Sequence, residues 1–162
     1  MALHLLSKSN KSNRENISFG VIENSFTSIV DLAKLMTRVP SWIPDRLFCG
    51  IATSFHSLTR VFDIKVPMLF LSGSLDDIVP ETMMRRLYEN CPVRAKRLVS
   101  FGSSGHVDTW MAKGYMEAWR AFATDVLGGT NELETFGNYL NNNGEKEKLD
   151  QMHHVVDVIC EI

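Results

Sequence analysis

The stretch that most constrains this chain is Val66-Pro67-Met68-Leu69-Phe70-Leu71, a short continuous apolar run ended by Ser72-Gly73. An amphipathic helix would interrupt such a run with polar residues every third or fourth position, and a half-buried strand would alternate. An uninterrupted run of this length, closed by turn residues, fits a strand covered on both faces, as in a parallel sheet. Asp76 and Asp77 follow in the loop just past the strand's carboxyl end, where open α/β sheets gather their ligands and reacting groups. A second strand-like run, Ala95 to Phe101, leads into another small-residue loop, Gly105-His106-Val107-Asp108-Thr109-Trp110. An acid after one strand and a histidine after the next match the second half of a hydrolase triad in the chain order Ser…Asp…His.

The flanking pattern supports an α/β architecture. Ile17 to Ile22 reads as a strand with Gly20 as its weak point. Glu23-Asn24-Ser25 follows as a polar turn with N-cap groups. Phe26, Ile29, Val30, Ala33 and Met36 then recur at helical spacing over 26–37, and Pro40 and Pro44 break that helix. The segment from Trp42 to Thr59 is mixed, with room for one short helix. Pro80 is placed as the first residue of a helix whose buried stripe is Met84, Leu87, Tyr88 and Cys91, closed by Pro92. Lys96 and Arg97 put the Ala95–Phe101 strand near a sheet edge. Tyr115, Ala118, Trp119, Phe122 and Val126 mark a long helix ended by Gly128-Gly129. Strand and helix alternate three times, which predicts a parallel sheet with crossover helices.

Composition excludes several functions. Of the 162 residues, 44% are hydrophobic and 22% charged, with a formal charge of -2. Nothing in that balance draws the chain to nucleic acid or to an anionic membrane. No apolar run approaches the ~18 residues of a spanning helix, so the sequence reads as soluble. Cys49, Cys91 and Cys160 are odd in number and far apart, the pattern of reduced thiols. Residues 1–16 read as a disordered leader and 128–162 as a linker with a short C-terminal helix over 146–160. On that helix His153 and Asp157 lie one turn apart, which admits a metal, but a solvated polar face explains them without one.

Histidine near its reference pKa of ~6.5 is suited to taking and returning a proton, and a carboxylate on its far nitrogen fixes the tautomer. Asp76 and His106 have the residue types and the order for those roles, and the spacing Gly73-x-x-Asp76-x-x-Val79-Pro80 favours Asp76 over Asp77. Asp77 is then left to cap the helix near Pro80, and Asp108 to cap the helix that starts near Thr109, with loop support secondary. His56, without an acidic partner in sequence, reads as structural. On spacing alone the alternatives stay open: an aspartate in a strand-to-helix loop is commonly a cap, and a histidine beside glycine is commonly a surface residue. The nucleophile's turn, G-x-S-x-G, does not occur in these residues; Gly102-Ser103-Ser104-Gly105 is one residue short and lies in the histidine's own loop.

Three blocks carry a resemblance: Ile22-Glu23-Asn24-Ser25-Phe26-Thr27-Ser28-Ile29, Pro67-Met68-Leu69-Phe70-Leu71-Ser72-Gly73 leading to Asp76, and His106-Val107-Asp108-Thr109-Trp110. In that order they resemble the α/β-hydrolase domain-containing protein 13 family, with its fungal and plant relatives, over residues 17–127. The resemblance implies the last three parallel strands of an α/β-hydrolase sheet with their crossover helices and a helical tail. It implies Asp76 as triad acid and His106 as triad base, with no cofactor and no metal. It also implies acyl ester or thioester substrates, palmitoyl-proteins among them, and an N-terminal membrane anchor in family members. With no nucleophile serine in a G-x-S-x-G turn, the chain is expected to be inactive alone. It is expected either to be completed by a longer form or to act as a non-catalytic short form that binds the full-length hydrolase or self-associates through an exposed sheet edge.

Overall fold

The computed structural model describes residues 17–38, 40, 42–44 and 56–128, together with Leu3 and Leu6. Three strands form one parallel sheet in the order β1-β2-β3, namely Gly20–Glu23, Met68–Gly73 and Lys96–Phe101. Gly20 pairs with Met68 and Glu23 with Leu71, while Met68 pairs with Lys96 and Gly73 with Phe101. The central strand is the apolar run, and all six of its residues are buried. It begins two residues later than the sequence predicts because Pro67 has no N–H to give a ladder, although its carbonyl still accepts from the Gly20 N–H at 2.8 Å. It ends two residues later because Ser72 and Gly73 still pair with β3. The first strand starts at Gly20 rather than Ile17, although Phe19 ahead of it is buried.

Side chains leave the sheet alternately on its two faces. Met68 and Phe70 join Ile22, Val61, Ile64, Met84 and Leu87 on one face. Leu69 and Leu71 meet Phe19, Val21, Phe101 and the helical residues Tyr115, Trp119 and Phe122 on the other. Leu69, Phe70 and Leu71 are wholly inaccessible to solvent, and each such side chain contributes about 1.5–3 kcal/mol by burial. Phe19 meets Trp119 and Phe122 edge-on at centroid distances of 5.7 and 5.6 Å.

Among the described residues, four α-helices with defined bounds accompany the sheet. The first, α1, runs Ile29–Met36, three residues shorter at its start than the spacing predicts, because Ser28 is its N-cap and accepts from the Asp31 N–H at 3.0 Å. That start buries Val30 and Leu32 and leaves Met36 64% exposed, so Met36 is not part of the core face expected of it. The short α2, Ser57–Val61, lies in the mixed segment, with His56 at its N-cap position making no side-chain cap bond.

Helix α3, Glu81–Asn90, begins one residue after Pro80, which is the cap rather than the first turn. It buries Met83, Met84 and Leu87, and the buried Cys91 follows at its end. Burial pushes the Cys91 thiol pKa up, as befits a packed and unreactive sulfur. Tyr88 of the expected stripe is only half-buried, lying edge-on to Phe70 at 5.6 Å. Lys96, which marks an edge strand in the sequence, reaches back to donate to the carbonyls of Tyr88 at 2.7 Å and Cys91 at 2.6 Å. It thereby places a positive charge and added donors on carbonyls at the C-terminal end of α3. Helix α4 spans Tyr115–Leu127 and stops at Gly128, whose φ of 67° is the left-handed closure a glycine permits. Of the leader expected to be disordered, Leu3 and Leu6 are described, and both are helical and buried in the core face with Ile22 and Met68, so at least these two residues are ordered by apolar burial. The rest of the leader, the linker beyond Gly128, the tail with Cys160, His153 and Asp157, and Cys49 lie outside the described residues. Among the described residues no helix is long and apolar enough to cross a membrane.

Candidate active site

The site is built where β2 and β3 end. Beyond Gly73 the chain turns, and Asp76 folds its side chain back so that Oδ1 accepts from the N–H groups of Ile78 at 2.9 Å and Val79 at 2.7 Å. This turn uses up one carboxylate oxygen. The other, Oδ2, stands 2.7 Å from Nδ1 of His106. The Asp76 side chain is completely buried, while that of His106 is 16% exposed. With the carboxylate on Nδ1, the ring tautomer that fits the contact carries its proton there and leaves Nε2 as the free acceptor. Of the two aspartates it is Asp76 that meets the histidine. Asp77 is exposed and does not cap α3, whose N-terminus has no side-chain cap bond. Asp76 is no helix cap either: its Oδ1 holds the turn ahead of α3 through the Ile78 and Val79 N–H groups, while its Oδ2 faces His106.

The two loops are latched together. The Ser74 N–H donates to Phe101 O at 3.0 Å and the Leu75 N–H to Ser104 O at 2.9 Å. Asp108 sits before a 3-10 turn, Thr109–Met111, but does not cap it; its Oδ1 accepts from the Gly105 N–H at 2.6 Å and so closes the loop around His106. Loop support is therefore its observed contact, the reverse of the order expected from sequence. The Trp110 indole donates to Val107 O at 3.0 Å.

Asn24, seen in sequence only as a turn residue, lies at the centre of these contacts. It is 4% exposed and has a φ of 44°. Its Oδ1 accepts from the Gly73 N–H at 2.9 Å, and its Nδ2 donates to His106 O at 2.8 Å and to Thr109 Oγ1 at 2.9 Å. Gly73 beside it marks a close approach: a Cβ there would stand 2.5 Å from the carbonyl oxygens of both Ser104 and Gly105. The available signal for Asn24 was local, an asparagine just past a strand, a type that tolerates the left-handed region.

Glu23, at the end of β1, accepts from the Tyr115 hydroxyl at 2.7 Å. Burial raises its carboxyl pKa above the usual range, partly offset by the Tyr115 bond and by the charge of His106 when protonated. A carboxyl whose folded pKa is raised binds its proton more tightly in the folded than in the unfolded chain, so folding loses stability as pH rises through that window. Glu23→Gln removes the effect: relative to wild type the variant is expected to gain stability as pH rises above the ordinary carboxyl value of 4.5. Thermal melts of both proteins through that rise check the sign.

The family follows from comparison with known proteins. A model of the family described as Serine hydrolase (FSH1) matches residues 10–107, well over half of the chain and including Asp76 and His106. The chain belongs to that serine hydrolase family. Among curated proteins, the α/β-hydrolase domain-containing protein WAV2 of Arabidopsis thaliana is 31% identical over 119 residues, covering 64% of this chain and 37% of its own length. Protein bem46 of Schizosaccharomyces pombe is 33% identical over 113 residues, 70% of this chain and 37% of that protein. An uncharacterized membrane protein of Saccharomyces cerevisiae, YNL320W, is 35% identical over 103 residues, 63% of this chain and 35% of that one. These relatives bear out the resemblance read from the three sequence blocks. The chain thus spans little more than a third of their length.

Among solved structures, the Pyrococcus furiosus esterase Pf2001 superposes with a TM-score of 0.55 at 20% identity, over 78% of this chain and 49% of its own. Pyrococcus horikoshii acylaminoacyl peptidase gives 0.51 at 13% identity, over 73% and 20%. At such identities the likeness concerns fold alone, and it identifies the three strands and their helices as part of an α/β-hydrolase sheet.

Proposed function

We propose that this chain supplies the acid–base half of a serine hydrolase acting on acyl esters or thioesters, with Asp76 as the orienting acid and His106 as the base. The observation that carries the reading is the 2.7 Å contact between a fully buried carboxylate and the Nδ1 of a partly exposed imidazole. In the reaction His106 Nε2 takes the proton of a serine hydroxyl as its oxygen attacks the acyl carbonyl, and then returns that proton to the departing alcohol or thiol. Water repeats the sequence on the acyl-enzyme and releases the carboxylic acid. The serine, and the N–H groups that would hold the oxyanion, come from polypeptide other than these 162 residues. Apolar side chains exposed on the same two loops, Leu75, Ile78, Val107, Trp110 and Met111, support an apolar acyl group, of which a palmitoyl chain is one.

A fluorophosphonate probe, which reacts with activated serines, tests the assignment. A polypeptide in which this segment follows the nucleophile-bearing part of the fold is expected to be labelled, and to lose labelling with His106→Ala. The 162-residue chain alone is expected to remain unlabelled. Labelling that survives His106→Ala would remove the histidine from the mechanism, and labelling of the short chain would show that it holds its own nucleophile.

A second reading, a non-catalytic form that binds the full-length hydrolase or itself, is favoured by one feature. β1 pairs only with β2 among the described residues, leaving its other edge as a row of backbone donors and acceptors. A monomer whose melting temperature does not change with concentration would exclude self-association.

A further inference from the structure

We propose that Asn24 is a positioning residue for the base: its one amide group ties the strand leading to Asp76 to the backbone of His106 and so sets the distance between them. The inference rests on the reading of His106 as the base. An asparagine side chain has one carbonyl and two N–H donors, and here each is committed. The carbonyl accepts from the Gly73 N–H, on the last residue of β2 and three residues before Asp76. The two N–H donors go to His106 O and Thr109 Oγ1, in the loop after β3. The orientation of the amide is fixed by its neighbours, since Gly73 presents a donor and His106 a carbonyl, and a flipped amide would set like against like.

The partners are 49, 82 and 85 residues away in sequence, so these are long-range ties and not a local turn. The bond to the His106 carbonyl fixes the backbone from which the imidazole projects, and the bond to Gly73 fixes the strand from which the acid's loop departs. Glu23, the next residue on β1, is anchored to Tyr115 of α4 at 2.7 Å, which gives the amide a rigid base. Asn24's φ of 44° lies in the region where asparagine, aspartate and glycine are at ease. Variants of those two types therefore leave the backbone unstrained.

Two substitutions separate positioning from mere support. Asn24→Asp keeps an acceptor for Gly73 but replaces the donors to His106 and Thr109 with a second oxygen. Asn24→Gly removes both ties. The readout is the ring N–H proton of His106 in the 162-residue chain, followed by NMR through its exchange with water, beside the backbone amide shifts of residues 105–107. Both variants are expected to exchange that proton at least about tenfold faster than wild type, the equilibrium weight of roughly one hydrogen bond, and to shift the 105–107 amides. Wild-type exchange and shifts in a folded Asn24→Asp chain would overturn the proposal, because a purely structural tie to Gly73 is preserved there.

Should neither variant fold, the wild-type chain decides: the Asn24 side-chain amide protons must exchange as slowly as the His106 ring proton, and free exchange overturns the inference. Asp76→Asn is measured in parallel. A ring proton unaffected by that change would sink the acid–base reading, while the 105–107 shifts still report on Asn24 separately.

Discussion

Replacing Asp76 with asparagine, in a polypeptide that also supplies the serine, is expected to lower kcat by about 10⁴-fold with little change in KM, as for the orienting acid of other triads. The argument is one of tautomers. Asparagine has the same shape, and its carbonyl can still accept from the Ile78 and Val79 N–H groups that Asp76 Oδ1 now holds. The turn is therefore kept and the fold with it. What changes is the atom facing His106: an amide N–H donor replaces Oδ2 at 2.7 Å. The ring must then accept at Nδ1 and carry its proton on Nε2, the nitrogen that should receive the serine's proton. The imidazolium formed during the reaction also loses the negative charge beside it. Asp77→Asn is the matched control. That side chain is exposed, and its loss is expected to leave kcat unchanged. Steady-state kinetics with an acyl ester, beside a melt of each variant, checks both. A folded Asp76→Asn enzyme within tenfold of wild type would remove Asp76 from the triad.

The loop positions of Asp76 and His106 were legible in sequence because strand ends are what an apolar run reveals, but spacing left their pairing open and only the family resemblance pointed to it. The central strand itself was readable for the same reason, since burial on both faces writes itself as Met68-Leu69-Phe70-Leu71 with no polar interruption. Boundaries were less legible where a single backbone group decides them. Pro67 delays β2 because it lacks an N–H, and Ser28 delays α1 because its hydroxyl takes the cap in place of the polar groups at residues 23–25. The contacts around the pair were invisible for a different reason. Asn24 meets Gly73, His106 and Thr109 across 49 to 85 residues, and no local pattern encodes a distance of that kind. Asp76 also defeats a rule that assigns one role per residue. Its two oxygens do different work, one holding the turn and the other facing His106. The cap expected of Asp77 is not made, and Pro80 stands at that position instead.

Gly73→Ala is the substitution expected to damage fold and site together. In the structure a Cβ at this position would lie 2.5 Å from the carbonyl oxygens of Ser104 and Gly105 and 2.8 Å from Thr109 Oγ1. Non-bonded carbon contacts prefer about 3.5–4.0 Å, so the histidine loop must retreat by roughly 1 Å. Two of the three obstacles are backbone atoms, which no rotamer change can move aside. Overpacking of this kind costs about 1–3 kcal/mol where neighbours can yield, and here it is expected at the upper end of that range. The retreat would also stretch the Asn24 and Asp76 contacts to the loop, and a displacement of about 1 Å in a catalytic group is enough to cost roughly 10²-fold in rate. Gly102→Ala, one residue into the same loop, separates this effect from a general intolerance of side chains. A Cβ there meets nothing within 4 Å, and the change is expected to stay within about 0.5 kcal/mol of wild type. Urea melts of the two variants measure the stability difference, and turnover in the completed enzyme measures the displacement. If Gly73→Ala melts and turns over like Gly102→Ala, the loop is not held against the end of β2, and the close approach that brings His106 to Asp76 is not required for activity.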